Sequence, residues 1–332
     1  MMIDAALFGA GRIGKIHAAN LARLPGMRLK YVVDSHAPAA RELAAAHGAE
    51  ACAAEQALDD PAVRAVVIAS STDTHAELIL AAAARGKAIF CEKPVDLELE
   101  RARQCAQAVA AAGVPCLIGF QRRYDPTFAA LKARLAAGEI GAPEMLIVTS
   151  RDPGAPPLDY IRRSGGIFKD MLIHDFDICR WILDDEVLSV HASASALSDP
   201  AIAAAGDADS AAVTLRTRQG RLCQINTSRR AAYGYDQRFE VLGSRGMLQA
   251  GNHRPTEVIA YGERAVAVDL PEPFFLERYR QAYAAEMAHF LEVIRDGAAP
   301  RTTVEDGVRA LELADGATRS WRSGQVVELD QV

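Results

Sequence analysis

Residues 3–24 restrict the fold more than any other stretch of the chain. Ile3 to Phe8 is a short apolar run with one acid, Asp4, near its edge. It leads into Gly9-Ala10-Gly11-Arg12-Ile13-Gly14, after which Ile13, Ile16, His17, Leu21 and Leu24 recur at helical spacing. Strand, glycine turn and helix therefore follow one another in the order that a dinucleotide-binding turn requires. Gly9 permits the tight turn, Gly11 leaves the backbone bare for a pyrophosphate, and Gly14 lets the helix pack closely on the strand. The N–H groups and dipole at the helix start favour phosphate oxygens there.

A glycine motif alone is weak support. Here a second strand, Leu29 to Val33, ends in Asp34, 20 residues after Gly14. A carboxylate at that place accepts from a ribose 2′-hydroxyl. A 2′-phosphate would be repelled by Asp34, and Ser35 and His36 offer no guanidinium to counter it. The cofactor expected is NAD rather than NADP.

The alternation continues with a helix over Pro38 to His47, a strand over Val66 to Ala69 and a helix over His75 to Arg85. A strand over Ala88 to Cys91, a helix over Leu97 to Ala112 and a strand over Cys116 to Ile118 complete it. This pattern predicts a doubly wound parallel sheet, an α/β Rossmann domain over residues 1–121. Ligands of such sheets lie beyond the carboxyl ends of the strands. Ser70-Ser71-Thr72-Asp73-Thr74-His75 and Glu92-Lys93-Pro94 fall at those ends. Ser70, Thr72, His75, Glu92 and Lys93 thus join Gly9, Gly11, Arg12, Ile13, Gly14 and Asp34 as candidate cofactor contacts. His75 serves equally well as a helix cap. Lys93 follows a buried strand and precedes a proline, which disfavours helix at its own position. There it can hydrogen-bond a substrate oxygen and stabilise developing alkoxide charge, unless it is an ordinary solvated lysine.

Residues 122–332 read as a second, α+β domain. Period-two runs at Val187–Ala194, Ala211–Thr217, Leu222–Thr227, Arg238–Leu242, Val258–Tyr261 and Val266–Leu270 are separated by turn residues, which predicts a largely antiparallel open sheet. Phe275–Arg295 and Val304–Trp321 read as long helices, with Tyr279 and Tyr283 as core or interface residues. Ser195–Asp209 reads as a surface loop. Gly165-Gly166 leads into a single, mostly apolar helix through Trp181 that carries Asp170 and His174 one turn apart on one face. A carboxylate and an imidazole on such a helix need partners or a task. His174, Asp175 and Asp177 invite a metal reading. Successive helical side chains point about 100° apart, however, so Asp175 faces away and no metal site is expected.

The chain of 332 residues carries a net charge of −6, and its arginine pairs at 122–123, 162–163 and 229–230 are isolated. Neither nucleic acid nor an anionic membrane is an expected partner. The start of the chain bears an acid where a signal peptide would bear positive charge, and the apolar run Leu78–Ala84 falls far short of a span. Six scattered cysteines read as small buried hydrophobes in a reducing cytoplasm.

The glycine turn, Ser70–His75, Glu92-Lys93-Pro94 and the Asp170/His174 stretch together resemble the Gfo/Idh/MocA family of nicotinamide-dependent sugar oxidoreductases. The likeness extends over Gly119-Phe120-Gln121-Arg122-Arg123-Tyr124-Asp125-Pro126 and nearly the whole chain. The I-H-D-F-D run and Tyr233-Gly234-Tyr235-Asp236-Gln237-Arg238 are similar to members that act on inositol. The resemblance implies that Lys93, Asp170 and His174 form the catalytic set. It also implies that Arg122, Asp152 and Tyr235 join them around a cyclic polyol or sugar, and that the chain forms a dimer or tetramer of itself. The implied reaction is oxidation of a ring secondary alcohol, myo-inositol to its 2-ketone. His174 would be the base, because an imidazole is the side chain suited to taking and returning a proton near neutral pH. Oxidation of an aldose and a regulator without turnover are the alternatives.

Overall fold

The computed structural model describes residues 2–329; Met1 and 330–332, the outer ends of the two expected domains, lie outside them. The chain forms two compact units.

In the first unit the order is β1 (Ile3–Phe8), α1 (Arg12–Arg23), β2 (Met27–Val33), α2 (Ala37–Ala46), β3 (Glu50–Ala51), α3 (Ala54–Asp59) and β4 (Val63–Ile68). It continues with α4 (His75–Ala83), β5 (Ala88–Glu92), α5 (Leu99–Ala112) and β6 (Cys116–Gly119). The strands pair in the order β3-β2-β1-β4-β5-β6, all parallel. This is the doubly wound arrangement expected, with its switch point between β1 and β4. All of β1 is buried, because helices cover both faces of such a sheet. Gly9 and Gly14 are sterically required. A Cβ on Gly9 would lie 2.4 Å from Ala69 O, and one on Gly14 would lie 1.9 Å from Gly9 O.

The second unit begins after Tyr124 with α6 (Pro126–Ala136), β7 (Pro143–Arg151), α7 (Leu158–Ile161), α8 (Gly166–Asp170) and α9 (Ile173–Leu183). Then come β8 (Val187–Ser195), α10 (Pro200–Ala204), β9 (Ser210–Thr217), β10 (Leu222–Ser228), β11 (Asp236–Gly243) and β12 (Gly246–Ala250). A separate hairpin, β13 (Ile259–Tyr261) and β14 (Val266–Val268), precedes α11 (Phe275–Arg278). The chain continues through α12 (Arg280–Asp296), α13 (Val304–Ser323) and β15 (Val327–Glu328). The large sheet has the order β12-β11-β7-β10-β9-β8-β15 and is antiparallel except where β7 meets β10. Alternate residues of β9 are buried, as befits a sheet with one covered face. Helix α9 packs on β7 and α6 on β12, with the Phe128 and Phe239 rings 4.1 Å apart.

Four expectations change. The first unit extends beyond 121 to Tyr124 and also takes Ala282–Leu311. The apolar stripe Met287, Phe290 and Leu291 of α12 joins Leu7, Leu21 and Phe90 in its core, so a helix late in the chain belongs to the early sheet. The stretch 165–181 is two helices, not one. At the break Leu172 N–H bonds Ile167 O, five residues back, and Asp175 N–H bonds Leu172 O, three back. Thr227 of β10 also donates to Met171 Sδ at 3.4 Å, tying the break to the sheet. The stretch 275–295 is likewise interrupted, at Tyr279. Finally, Ser195–Asp209 is no inert loop: it contains α10, and Asp207, Ala208 and Asp209 are buried. Tyr279 and Tyr283 are both buried, as expected. Among the described residues no helix is long and apolar enough to cross a membrane.

Candidate active site

In the first unit the expected cofactor residues gather at the carboxyl ends of β1, β2, β4 and β5. Asp34, at the exit of β2, takes the Ala10 N–H on one oxygen and the His36 N–H on the other, each at 2.7 Å. Each oxygen of a carboxylate has a second lone pair, so a ribose hydroxyl can still be accepted there. Helix α1 begins at Gly11 with no side-chain cap, and a Cβ on Gly11 would meet nothing within 4 Å. The approach to the first turn beside Gly11 is therefore open, as a pyrophosphate bound by its N–H groups needs. Arg12 is exposed and Ile13 half-buried beside them. These features fit NAD.

The next two strand exits are tied together. Ser70 Oγ lies 2.7 Å from Thr74 Oγ1, across the turn that contains Thr72. His75 is buried, with Nδ1 donating to Pro94 O at 2.7 Å and Nε2 lying 3.2 Å from Ser70 O. Burial pushes its pKa down, so the ring is neutral. His75 is the first residue of α4 rather than its cap, which is Thr74. Its ring instead clamps the loop after β4 to the Glu92-Lys93-Pro94 turn. Lys93 is half-buried at the exit of β5. Glu92 turns inward, where its Oε1 accepts from His17 Nε2 at 2.7 Å. Arg122, an expected substrate residue, is buried in this unit at 2% exposure.

In the second unit topology gathers the remaining candidates. Because β7 and β10 are parallel, their exits coincide, with Arg151 opposite Ser228. β11 runs the other way and enters at the same edge, with Asp236 opposite Arg151. Asp152, Arg229 and Tyr235 thus share one end of the sheet. Asp152 is held there by its backbone, its N–H to Ser228 O and its O to Ala231 N–H. Tyr235 is buried edge-on against Phe274 and Tyr279.

Asp170 joins this edge through Arg229. Arg229 Nη1 donates to Asp170 Oδ2 at 3.1 Å, and Tyr160 OH donates to Asp170 Oδ1 at 2.8 Å. Arg229 is only 1% exposed, and its Nη2 lies 3.8 Å from Asp207 Oδ2. Asp207 Oδ1 in turn accepts from Ile167 N–H at the start of α8. A guanidinium so placed fixes the direction of the Asp170 carboxylate. Asp170 ends α8 and half-buried His174 opens α9, so the two lie on either side of the helix break rather than on one regular helix face. The sequence reading missed Tyr160, Asp207 and Arg229. Its only signal was the pair Arg229-Arg230, which directly follows the alternating strand Leu222–Ser228.

The description "Oxidoreductase family, NAD-binding Rossmann fold" matches residues 3–120, and "Oxidoreductase family, C-terminal alpha/beta domain" matches residues 132–329. The chain belongs to the Gfo/Idh/MocA oxidoreductase family. Its first unit is therefore an NAD-binding Rossmann domain. Inositol 2-dehydrogenase of Rhizobium meliloti is 48% identical over 96% of this chain and 97% of its own length. The crystal structure of a myo-inositol dehydrogenase from Corynebacterium glutamicum superposes with a TM-score of 0.96 at 44% identity, covering 100% of both chains. A myo-inositol dehydrogenase from Lactobacillus casei, in complex with NAD(H) and myo-inositol, has a TM-score of 0.90 at 27% identity and covers 100% of this chain and 98% of its own.

Proposed function

We propose that this protein oxidises a ring secondary alcohol of a cyclic polyol, converting myo-inositol to its 2-ketone. When bound, NAD supplies the acceptor for the carbinol hydride. Gly9, Gly11 and the first turn of α1 would hold its phosphates and Asp34 its adenosine ribose. Lys93 would hydrogen-bond the reacting oxygen and favour the alkoxide. His174 would take the hydroxyl proton, so that the carbon–oxygen bond becomes a carbonyl as the hydride leaves. Asp170, fixed by Arg229 and Tyr160, would orient a neighbouring hydroxyl or the imidazole. Asp152, Tyr235 and Arg122 complete the substrate set in this reading.

The observation that carries the reading is the co-occurrence of two features in a chain of this family. One is a dinucleotide-type strand-exit surface bearing Lys93, and the other is an Asp170 carboxylate locked by a buried arginine four residues before His174. Self-association is supported by the β13–β14 hairpin, whose Ile259, Tyr261, Val266 and Val268 are all exposed. Six free cysteines among the described residues, five of them buried, agree with a reducing cytoplasm. The test is a steady-state screen of NADH formation over myo-inositol, scyllo-inositol, glucose and galactose. The highest kcat/KM is expected for myo-inositol. A preference for an aldose, or no turnover at all, overturns the assignment.

A further inference from the structure

The first unit contains a buried cluster that the proposed chemistry does not use. His17 on α1, Glu92 at the end of β5 and Glu286 on α12 each offer a polar atom, all within 4.8 Å of one another. His17 and Glu286 are fully buried and Glu92 is 8% exposed. The neighbouring strand is shaped for the Glu92 carboxylate. A Cβ on Gly119 would lie 2.9 Å from its Oε2, so only glycine leaves it room. The His17 ring is wedged edge-on against Phe90 and Tyr283, with centroids 4.9 and 6.0 Å away. Among the described residues neither oxygen of Glu286 has a hydrogen-bond partner.

Two carboxylates this close in an apolar core cannot both be ionised at acceptable cost. Burial, and then the charge of Glu92, push the Glu286 carboxyl well above the usual carboxylate range. Glu286 therefore holds a proton. The Glu92 carboxyl accepts from His17 on one side, and the Glu286 acid group on the other lies within 4.8 Å, the span of one bridging water. The residue that follows Glu92 is Lys93.

We propose that His17, Glu92 and Glu286 form a buried triad that shares one acidic proton and sets the position of Lys93, which makes Glu286 a positioning residue for alcohol oxidation. The inference rests on the role given to Lys93 above. A side chain anchored on both flanks leaves the end of β5 one conformation, and the lysine leaves the strand from that fixed point. Loss of the acid donor lets Glu92 turn, and Lys93 moves with it.

The experiment compares Glu286→Gln, whose amide is a neutral donor of the same shape, with Glu286→Leu, which donates nothing. Glu286→Leu is expected to lower kcat by about 10²-fold, the effect of a slight misplacement of a reacting group, while KM for NAD stays near wild type. Glu286→Gln is expected to recover most of the lost rate. A second readout needs no substrate: the acetylation rate of Lys93 by an N-hydroxysuccinimide ester, located by peptide mass spectrometry. It should change in the Leu variant and return in the Gln variant. Both variants turning over and labelling like wild type, with only a lower melting temperature, would show that the triad is merely structural. A Gln variant as slow as the Leu variant overturns the neutral-donor role. So does a stoichiometric divalent metal in purified wild type that is lost on Glu286→Gln. If wild type oxidises no polyol but the labelling pattern holds, the proposed function fails and the triad stands.

Discussion

The two units assemble their candidate sites in different ways. In the Rossmann unit each group at the strand exits belongs to a short contiguous motif, and the parallel sheet does the gathering. Gly9–Gly14, Asp34, Ser70–His75 and Glu92–Pro94 follow successive strands and reach the same edge because parallel strands all point their carboxyl ends one way. In the second unit Asp170 takes its partners from positions 160 and 229, and Arg229 reaches on to 207. Nothing local in the sequence joins those positions. The contacts exist because α7, α8 and the ends of β9 and β10 meet at one corner of the sheet. A motif-built site should lose function residue by residue with little loss of fold. A network-built site should lose both together.

The largest effects are expected at the groups assigned to the chemistry itself. His174→Ala should lower the rate of alcohol oxidation by about 10²–10⁴-fold, as removal of a general base does. Lys93→Met should cost about 10²–10³-fold, the usual loss on removing a donor to a developing oxyanion. Both variants should melt near wild type and bind NAD nearly as well, by calorimetric melting and by titration of bound cofactor. A near-normal kcat in either removes that residue from the mechanism.

Arg229 sharpens the contrast. Arg229→Met leaves Asp170 and Asp207 without their cation in a buried setting, a change worth about 3–5 kcal/mol of stability. It should lower both the melting temperature and the rate per folded molecule, whereas Arg229→Lys should keep part of each. If Arg229→Met destabilised the protein but left kcat/KM of the folded fraction intact, the arginine would hold the fold and not the Asp170 carboxylate.

Much of this was legible in the sequence, and for a physical reason. Glycine spacing, strand-end acids and period-two runs report local geometry, so the parallel sheet, NAD and the antiparallel second sheet could be read directly. The break at Met171-Leu172 could not. Both residues are good helix formers with an apolar pattern that runs on unbroken, and the contact that ties the break to the sheet comes from Thr227 of a remote strand. The membership of α12 in the first unit was hidden for the same reason: its apolar stripe announces burial but not the partner. Arg229 stood out only as half of an isolated arginine pair, because sequence does not show which charges find buried partners.

Cofactor choice tests the motif-built side with a smaller effect. Asp34 holds two backbone N–H groups, one on each oxygen, so Asp34→Asn removes the charge and keeps an acceptor for one of the two. Like charges at contact distance cost about 1–4 kcal/mol, so the preference in kcat/KM for NAD over NADP should fall by roughly tenfold or more. A wild type that already prefers NADP contradicts the role of Asp34.

The smallest effect is expected at Asp209, at the far side of the network-built corner, and it is read in acid. Burial pushes the Asp209 carboxyl up. Hydrogen bonds from Ser198 Oγ, the N–H groups of Leu197 and Ser198, and Ser210 Oγ outweigh this and hold it at about 2. An aspartate in the unfolded chain titrates near 3.9, so the folded state favours the ionised form. The contribution to stability is complete above about pH 4 and is lost as pH falls through about 2, for roughly 1–2 kcal/mol in all. Asp209→Asn cannot gain it at any pH. The difference in melting temperature between wild type and Asp209→Asn should therefore be constant from neutrality down to about pH 5 and shrink toward pH 2.5. If the gap instead stayed constant through that range, the loop would be held by shape and not by the charge of Asp209. The buried turn that carries Asp207 to Arg229 would then owe nothing to its neighbouring carboxylate.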